Sequence, residues 1–198
     1  MPILVEPSIP EGSLFGIEQP VIEVSRSVSL RPWLNGDAAA VMEIFQDPLI
    51  QRWHVKRADS IEEAAGWIGG WWQSEWPKES GAHWAVVDSG SDRLLGRIAL
   101  KNIDLYDGTA DLAYWMAASA RGYGVCPNSV VALARWAFDE MAFNRLELEH
   151  SVDNAASCRV ADKAGFQTEG IRRESARHAD GWHDMHVHSL LRGDSTPG

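Results

Sequence analysis

Apolar and polar positions along the chain switch between two periods, one of about two residues and one of about 3.6. Residues 21–33 have strand character. From Asp37, apolar Ala38, Val41, Met42 and Phe45 recur at helical spacing, and Asp47-Pro48 predicts where that helix stops. Ser60 with Glu63 forms a capping box, and a helix is predicted from there toward Pro77 with Trp67 and Trp71 stacked on one face. Gly69-Gly70 weakens it, because glycine loses more backbone freedom than any other residue. Residues 83–87 and 94–102 read as strands on either side of an Asp88-Ser89-Gly90 turn. Asp107-Gly108 is a hairpin signal leading into a third strand, 109–116.

A glycine-rich stretch follows, Ala120-Arg121-Gly122-Tyr123-Gly124. Val130, Ala134, Ala137, Phe138 and Met141 then mark one face of a helix, and Leu146, Leu148, His150 and Val152 alternate as a strand. Asn154 caps a shorter helix that ends at Gly165. Two further strands, from 166 to 171 or beyond and 182–191, finish the pattern. This order predicts an α/β sheet of mixed direction with one parallel crossover near its middle. Residues 1–20 read as an arm broken by Pro2, Pro7, Pro10, Pro20, Gly12 and Gly16, with apolar Ile3, Leu4, Val5, Leu14 and Phe15 available to pack on the body. Residues 21–192 read as a single domain and 193–198 as a loose tail.

The composition narrows the function. A chain of 198 residues is one domain's length. Its net charge of −10 disfavours sequence-independent binding to nucleic acid, which needs cations against phosphates, and fits a cationic acceptor such as an amine. Two cysteines, Cys126 and Cys158, make neither a disulfide framework nor a cysteine zinc site, so a reducing cytoplasm is expected. No apolar run approaches ~20 residues and no signal-peptide pattern opens the chain, so neither a membrane span nor secretion is expected. Six of the ten tryptophans fall between Trp53 and Trp84.

Strand, glycine loop and helix together make a place for an anion. Gly122 and Gly124 let main-chain N–H groups approach a ligand, the next helix begins with unpaired N–H groups, and Arg121 adds a fork of donors. A dinucleotide fingerprint would need glycine where Pro127 stands, and the Gly-Lys-Ser/Thr of a P-loop is missing.

Arg121-Gly122-Tyr123-Gly124-Val125-Cys126 resembles the Arg/Gln-x-x-Gly-x-Gly/Ala loop of the GNAT superfamily, the acyl-CoA-dependent N-acyltransferases. Asn154-Ala155-Ala156-Ser157, Lys163-Ala164-Gly165-Phe166 and Glu169-Gly170 are similar to its RimJ/RimL-like branch, the ribosomal-protein N-terminal acetyltransferases. Leu30-Arg31-Pro32-Trp33 and Asp111-Leu112-Ala113-Tyr114-Trp115 are similar to that branch's early strands, and Gly181-Trp182-His183-Asp184 with Ser189-Leu190-Leu191 to its last hairpin. The resemblance implies a GNAT fold: a mixed, mostly antiparallel central sheet, splayed in the middle, with helices on both faces. It implies acetyl-CoA as acyl donor, with pyrophosphate on the backbone of residues 121–126 and the pantetheine arm along Tyr114, Trp115 and Met116, in a gap facing residues 146–152. Cys126 stands where the family usually has glycine or alanine.

The implied activity is transfer of an acetyl group to a primary amine, either a peptide or protein N-terminus or a small molecule such as an antibiotic or metabolite. Alternatives are a longer acyl group such as succinyl, or a non-catalytic acyl-CoA-binding module. Direct transfer needs a neutral amine, a polarised carbonyl and a partner for the leaving thiolate. The resemblance assigns Asn154 to the pantetheine and Ser157 to the thiolate, since the position of the tyrosine acid of other branches holds Ala161. The glutamate that some relatives use as base falls on Ala176. Asp111, on a strand that turns it toward the cleft, is the first substitute, followed by Glu149 and His150.

Trp53, His54 and His178 lie in segments that shape the family's acceptor pocket. His183, Asp184, His186 and His188 invite a metal. Asp184, His186 and His188 instead share one face of a strand whose other face carries Met185, Val187 and Leu191, the pattern of a polar outer face, so no metal is expected. Exposed tryptophans or the arm could serve a homodimer.

Overall fold

Strands and helices alternate along the computed structural model, which describes residues 4–14 and 16–194; Ile3 and Phe15 of the arm and tail residues 195–198 lie outside them. The strands are β1 (Ile22–Ser25), β2 (Val28–Pro32), β3 (Gly81–Asp88), β4 (Leu94–Asp104), β5 (Thr109–Met116), β6 (Arg145–Ser151), β7 (Gln167–His178) and β8 (Gly181–Leu191). The helices are α1 (Ala38–Ile44), α2 (Pro48–Trp53), α3 (Ile61–Ala65), α4 (Gln73–Glu75), α5 (Val125–Asp139) and α6 (Ala155–Lys163). All eight strands form one sheet in the order β1-β2-β3-β4-β5-β6-β8-β7. Every pairing is antiparallel except β5 with β6, which α5 connects. The expected mixed sheet with a single parallel crossover is therefore present.

Both faces of the sheet are covered, and β3 shows why. Trp84 and Val86 point into one core with α5 and α6, while Ala85 and Val87 point into a second with α1, α3 and the segment after it. The strand is consequently apolar throughout rather than alternating. Gly96 is required where β4 meets β5, because a Cβ there would lie 2.4 Å from the Trp115 carbonyl oxygen.

Three local predictions change. The strand expected over residues 21–33 is a hairpin, β1 and β2. Asp47-Pro48 ends α1 but also starts α2: the Asp47 carboxylate accepts from Leu49 N–H and proline takes the first turn, where its missing N–H costs nothing. The long helix toward Pro77 is α3, then a π-helical segment Gly66–Trp72, then α4 and a 3₁₀ turn ending in left-handed Glu79. Gly69-Gly70 sits within the π segment, and its wider winding pairs residues five apart. Trp67 therefore meets Trp72 at 6.0 Å instead of stacking with Trp71.

The arm is partly built in. Ile9 and Leu14 are buried, Ser8 and Ile9 N–H donate to the carbonyls of Tyr106 and Leu105, and the Glu79 carboxylate accepts from Gly12 and Leu14 N–H. Leu4 and Val5 stay exposed. No helix among the described residues is long and apolar enough to cross a membrane.

Candidate active site

The site begins where β5 and β6 part. Their parallel ladder joins Thr109 to Arg145, Ala110 to Leu146 and Asp111 to Glu147, and goes no further. Along residues 112–116 the β6-facing edge of β5 has no strand partner among the described residues, so its main-chain groups open into a cleft. Leu146 is still paired, so the gap starts slightly later on β6 than the sequence suggests. Two cavities meet in the cleft, of about 500 Å³ and about 450 Å³, and both are lined by Trp53, His54, Tyr114, Trp115, Asn154 and Ser157.

The larger cavity runs to the glycine loop and is also lined by Met116, Arg121, Gly122, Gly124, Val125 and Cys126. Gly122 and Gly124 have φ of 85° and 77°, the left-handed region that glycine occupies at little cost. A Cβ on Gly122 would meet nothing within 4 Å, so backbone conformation, not packing, demands glycine there. Among the described residues, no backbone hydrogen bond of a turn or cap takes up the N–H groups of residues 122–126, and Gly124 caps the fifteen-residue α5. This is an anion cradle of main-chain donors at the positive end of a helix dipole. It fits the diphosphate of a coenzyme A thioester. Tyr123 contributes only its main chain, its ring being 80% exposed. Burial pushes the Cys126 thiol up, leaving it neutral and unreactive.

Arg121 lines this cavity and also has partners within its own chain. Its Nε and Nη2 donate to the Met116 carbonyl at 3.1 and 2.9 Å, and Nη2 lies 2.6 Å from the Asp47 carboxylate. The 3₁₀ turn Ala118–Ala120 returns the chain beside the end of β5, so the guanidinium is held by its own protein. It ties the end of β5 to the cap of α2.

At the junction of the two cavities, Tyr114 Oη and Ser157 Oγ are hydrogen-bonded at 2.7 Å. Burial holds the Tyr114 phenol well above its ordinary pKa, so it stays a neutral donor. The Asn154 side chain accepts from Ser157 N–H and caps α6, so capping and cavity lining coexist in one residue.

The smaller cavity reaches round to the opposite face of β5, while Leu112, Tyr114, His150 and Ser157 also line it. Arg97, Lys101, Asp111, Ala113 and Trp115 share that face by strand alternation, and Trp53, Trp67, Trp71 and Trp72 form an aromatic wall. Asp111 reaches it, half-buried, with Oδ2 accepting from Asn102 Nδ2 at 2.6 Å. Glu149 is exposed and ion-paired with Arg172. His150 borders the cavity with both ring nitrogens in hydrogen-bond contact, Nδ1 with the Ser151 carbonyl and Nε2 with His188. His178 packs edge-on against Trp53, ring centroids 5.9 Å apart. His54 is pushed down to about 4 by burial first, then by Arg97 and Lys101, and is neutral at ordinary pH.

Arg97 escaped the sequence reading. It is 6% exposed on an otherwise apolar stretch of β4, stacked 5.0 Å from the Trp72 ring. Its Nε and Nη2 donate to His83 Nδ1, and His83 Nε2 donates to the Glu75 carboxylate at 2.5 Å. Burial and Arg97 push His83 down to about 2, so this imidazole is neutral and the guanidinium keeps its charge with no carboxylate of the described residues in contact. The signal was a lone charge in the run Leu94-Leu95-Gly96-Arg97-Ile98-Ala99-Leu100. The chain's net charge misleads here, because this wall is cationic although the whole is acidic.

One more prediction changes. His188 is fully buried, not on a polar outer face, because α6 with Cys158 covers that side of β8.

A family described as an acetyltransferase (GNAT) domain matches residues 27–167. The chain is similar to the probable N-acetyltransferase YjcK of Bacillus subtilis, 29% identical over 126 residues that cover 62% of this chain and 68% of the relative. It is similar to the putative ribosomal N-acetyltransferase YdaF of the same organism, 30% identical over 121 residues covering 61% and 65%. Among solved structures, the ribosomal L7/L12 α-N-protein acetyltransferase RimL in complex with coenzyme A has a TM-score of 0.81 at 20% identity, covering 87% of this chain and 98% of that one.

Proposed function

We propose that this chain, which belongs to the GNAT acetyltransferase family and moves an acetyl group from acetyl-CoA to a primary amine, acts on an amine that also carries an anionic group. The α-amine of an acidic peptide end fits this description, as does a small amine bearing a carboxylate or phosphate. The observation that carries the reading is Arg97, a buried cation on the wall of the aromatic cavity whose nearest carboxylate, Glu75, is one imidazole away. A desolvated guanidinium held this way discriminates strongly in favour of a counter-charge.

The donor supplies the activated acetyl group. Its diphosphate would sit on the N–H groups of residues 122–126, and the unpaired edge of β5 would accept its arm along Tyr114, Trp115 and Met116. The main chain at the parted edge polarises the thioester carbonyl, and the Tyr114–Ser157 hydroxyl pair stabilises the departing thiolate. The burial that chiefly keeps His54 neutral, with the charges of Arg97 and Lys101 behind it, also lowers the pKa of an entering amine, so the nucleophile arrives deprotonated, and Asp111 takes the proton released after attack. We assign this work to residues 21–192 in a cytoplasmic setting, with Trp53, His54 and His178 shaping the acceptor end.

The test pairs acceptors identical except for a carboxylate against its carboxamide and compares kcat/KM from amine-dependent thiol release. The acidic member should be favoured by about ten-fold or more, and Arg97→Met should flatten the preference. A preference for the neutral member, or one that survives Arg97→Met, overturns the assignment.

A further inference from the structure

The α6 face of the sheet holds a second constellation that the transfer chemistry does not use. His150 on β6 lies directly opposite His186 on β8, and His188 follows two residues on, so all three imidazoles stand on one face. Cys158 on α6 closes over them, and one ligand atom from each of the four residues falls within 4.8 Å of the others. We propose that His150, Cys158, His186 and His188 form a tetrahedral site for a zinc-class divalent cation.

The surroundings of the imidazoles carry the argument. Ser151 fixes the His150 ring, its carbonyl accepting from Nδ1–H at 2.8 Å, which leaves the Nε2 lone pair pointing inward. Thr168 Oγ1 lies 3.2 Å from His188 Nδ1 and can hold that ring in the same tautomer. The two Nε2 atoms then face each other at 3.0 Å. Without a cation, a single proton on His188 Nε2 bridges them and Thr168 donates to Nδ1. With one, both lone pairs become ligands, the two Nε2 atoms moving a few tenths of an ångström apart to bind a metal at about 2.0–2.1 Å from each. Backbone and hydroxyl groups that orient the far nitrogen of each ring are the usual outer support of metal-binding histidines. His186 Nδ1 is an independent pointer: it is buried from solvent and has no hydrogen-bond partner among the described residues.

Composition agrees. Three imidazoles and one thiolate suit zinc or cobalt, and neutral imidazole is the ligating form. A tetrahedral set has neighbouring ligand atoms roughly 3.3–3.8 Å apart, so the widest pairs draw in by about an ångström while the two Nε2 atoms open slightly as the metal enters, within the reach of side-chain rotation. His150 and His188 are buried while Cys158 and His186 are half-buried, which leaves a route from solvent. Binding forms one metal–sulfur and three metal–nitrogen bonds and breaks the Cys158 S–H bond, its proton leaving to solvent. Three separate elements, β6, β8 and α6, are thereby stapled next to Ser157.

The experiment uses the full chain, purified without a histidine tag and treated with chelator. Cobalt(II) is titrated in under anaerobic conditions, and zinc(II) is then added. The expected result is one cobalt per chain with intense visible bands of tetrahedral geometry and a thiolate-to-cobalt band beyond the tryptophan absorption. Zinc should erase both and raise Tm. Cys158→Ser should abolish the thiolate band, Cys126→Ser should leave it, and His186→Ala, a half-buried position that tolerates truncation, should weaken binding at least about ten-fold. Absence of stoichiometric binding, weak octahedral bands, or a thiolate band that survives Cys158→Ser would overturn the site.

Discussion

Removing the Ser157 hydroxyl should slow acetyl transfer without loosening the donor. Ser157 Oγ and Tyr114 Oη lie 2.7 Å apart where the two cavities meet, and burial keeps the phenol protonated. A donor aimed at charge that develops in the transition state is worth about 10²–10³ in kcat, or roughly 2.7–4 kcal/mol. The same hydrogen bond contributes only about 1 kcal/mol to folding, against a domain stability of about 5–15 kcal/mol, so the variants should remain folded. Ser157→Ala is therefore expected to lower kcat about 100-fold while KM for acetyl-CoA stays within about three-fold. Tyr114→Phe should cost about ten-fold, because Ser157 keeps its own proton to give but loses its orientation. The double variant should be no worse than Ser157→Ala, since groups acting as one unit are not additive. Initial rates of amine-dependent thiol release at saturating acceptor measure all three. A second donor with a more acidic thiol should be less sensitive to Ser157→Ala, its leaving group needing less help. The reasoning fails if Ser157→Ala keeps more than about a third of kcat, or if the two single losses multiply.

Arg121→Ala or Asp47→Ala should weaken acetyl-CoA binding about ten-fold with little change in kcat, because the broken charge-assisted tie positions the loop without touching the donor; calorimetric titration with coenzyme A checks this. His54 is held at about 4 against 6.5 when unfolded, so the unfolded chain binds the extra proton first, and stability should fall as pH drops from about 6.5 to 4. That effect is on the order of 3 kcal/mol, and denaturant midpoints of His54→Phe should lose that part of the pH slope. Glu169 is depressed to about 2 by Arg145 first and Ser189 second, so its contribution is full above about 4.5 and fades as pH falls toward 2. Its carboxylate is 42% exposed, which limits the contribution to about 1 kcal/mol, and Glu169→Gln should remove the acid-limb difference in Tm without affecting stability at pH below 2.

The parts of the fold that sequence pattern reveals are those decided locally. β5 has the predicted bounds because its alternation is bracketed by a hairpin turn and a glycine loop, and Asn154 caps α6 because its side chain reaches Ser157 N–H three residues on. The donor half of the site is legible for the same reason, since positive φ at Gly122 and Gly124 is a property of the loop itself. The acceptor half is not local. Its tryptophans sit where a π segment puts them, and that winding depends on packing against Trp33 and Phe45 from elsewhere in the chain. Alternation along β8 places His186 and His188 on one face correctly, but only the crossover of α6 decides that this face is covered. Asp47-Pro48 carries two opposite signals, an end and a start, and both are obeyed.

Arg97 shows why summed charge could not point to the acceptor. A guanidinium on β4, between Leu95 and Ala99, occupies a position that packing alone would fill better with an apolar side chain, because desolvating a cation costs several kcal/mol unless it is paired. The protein offsets that cost only in part: His83 accepts two of its N–H bonds, Glu75 acts through the ring, and the Trp72 face lies 5.0 Å away. A direct Arg–Glu pair would have been the simpler way to stabilise the charge, and His83 stands in its place. The interposed ring leaves the cation's field directed into the cavity, where it also depresses His54. A buried charge supported well enough to fold, yet left without a carboxylate in contact, is the arrangement expected of a wall that waits for its counter-charge on a ligand.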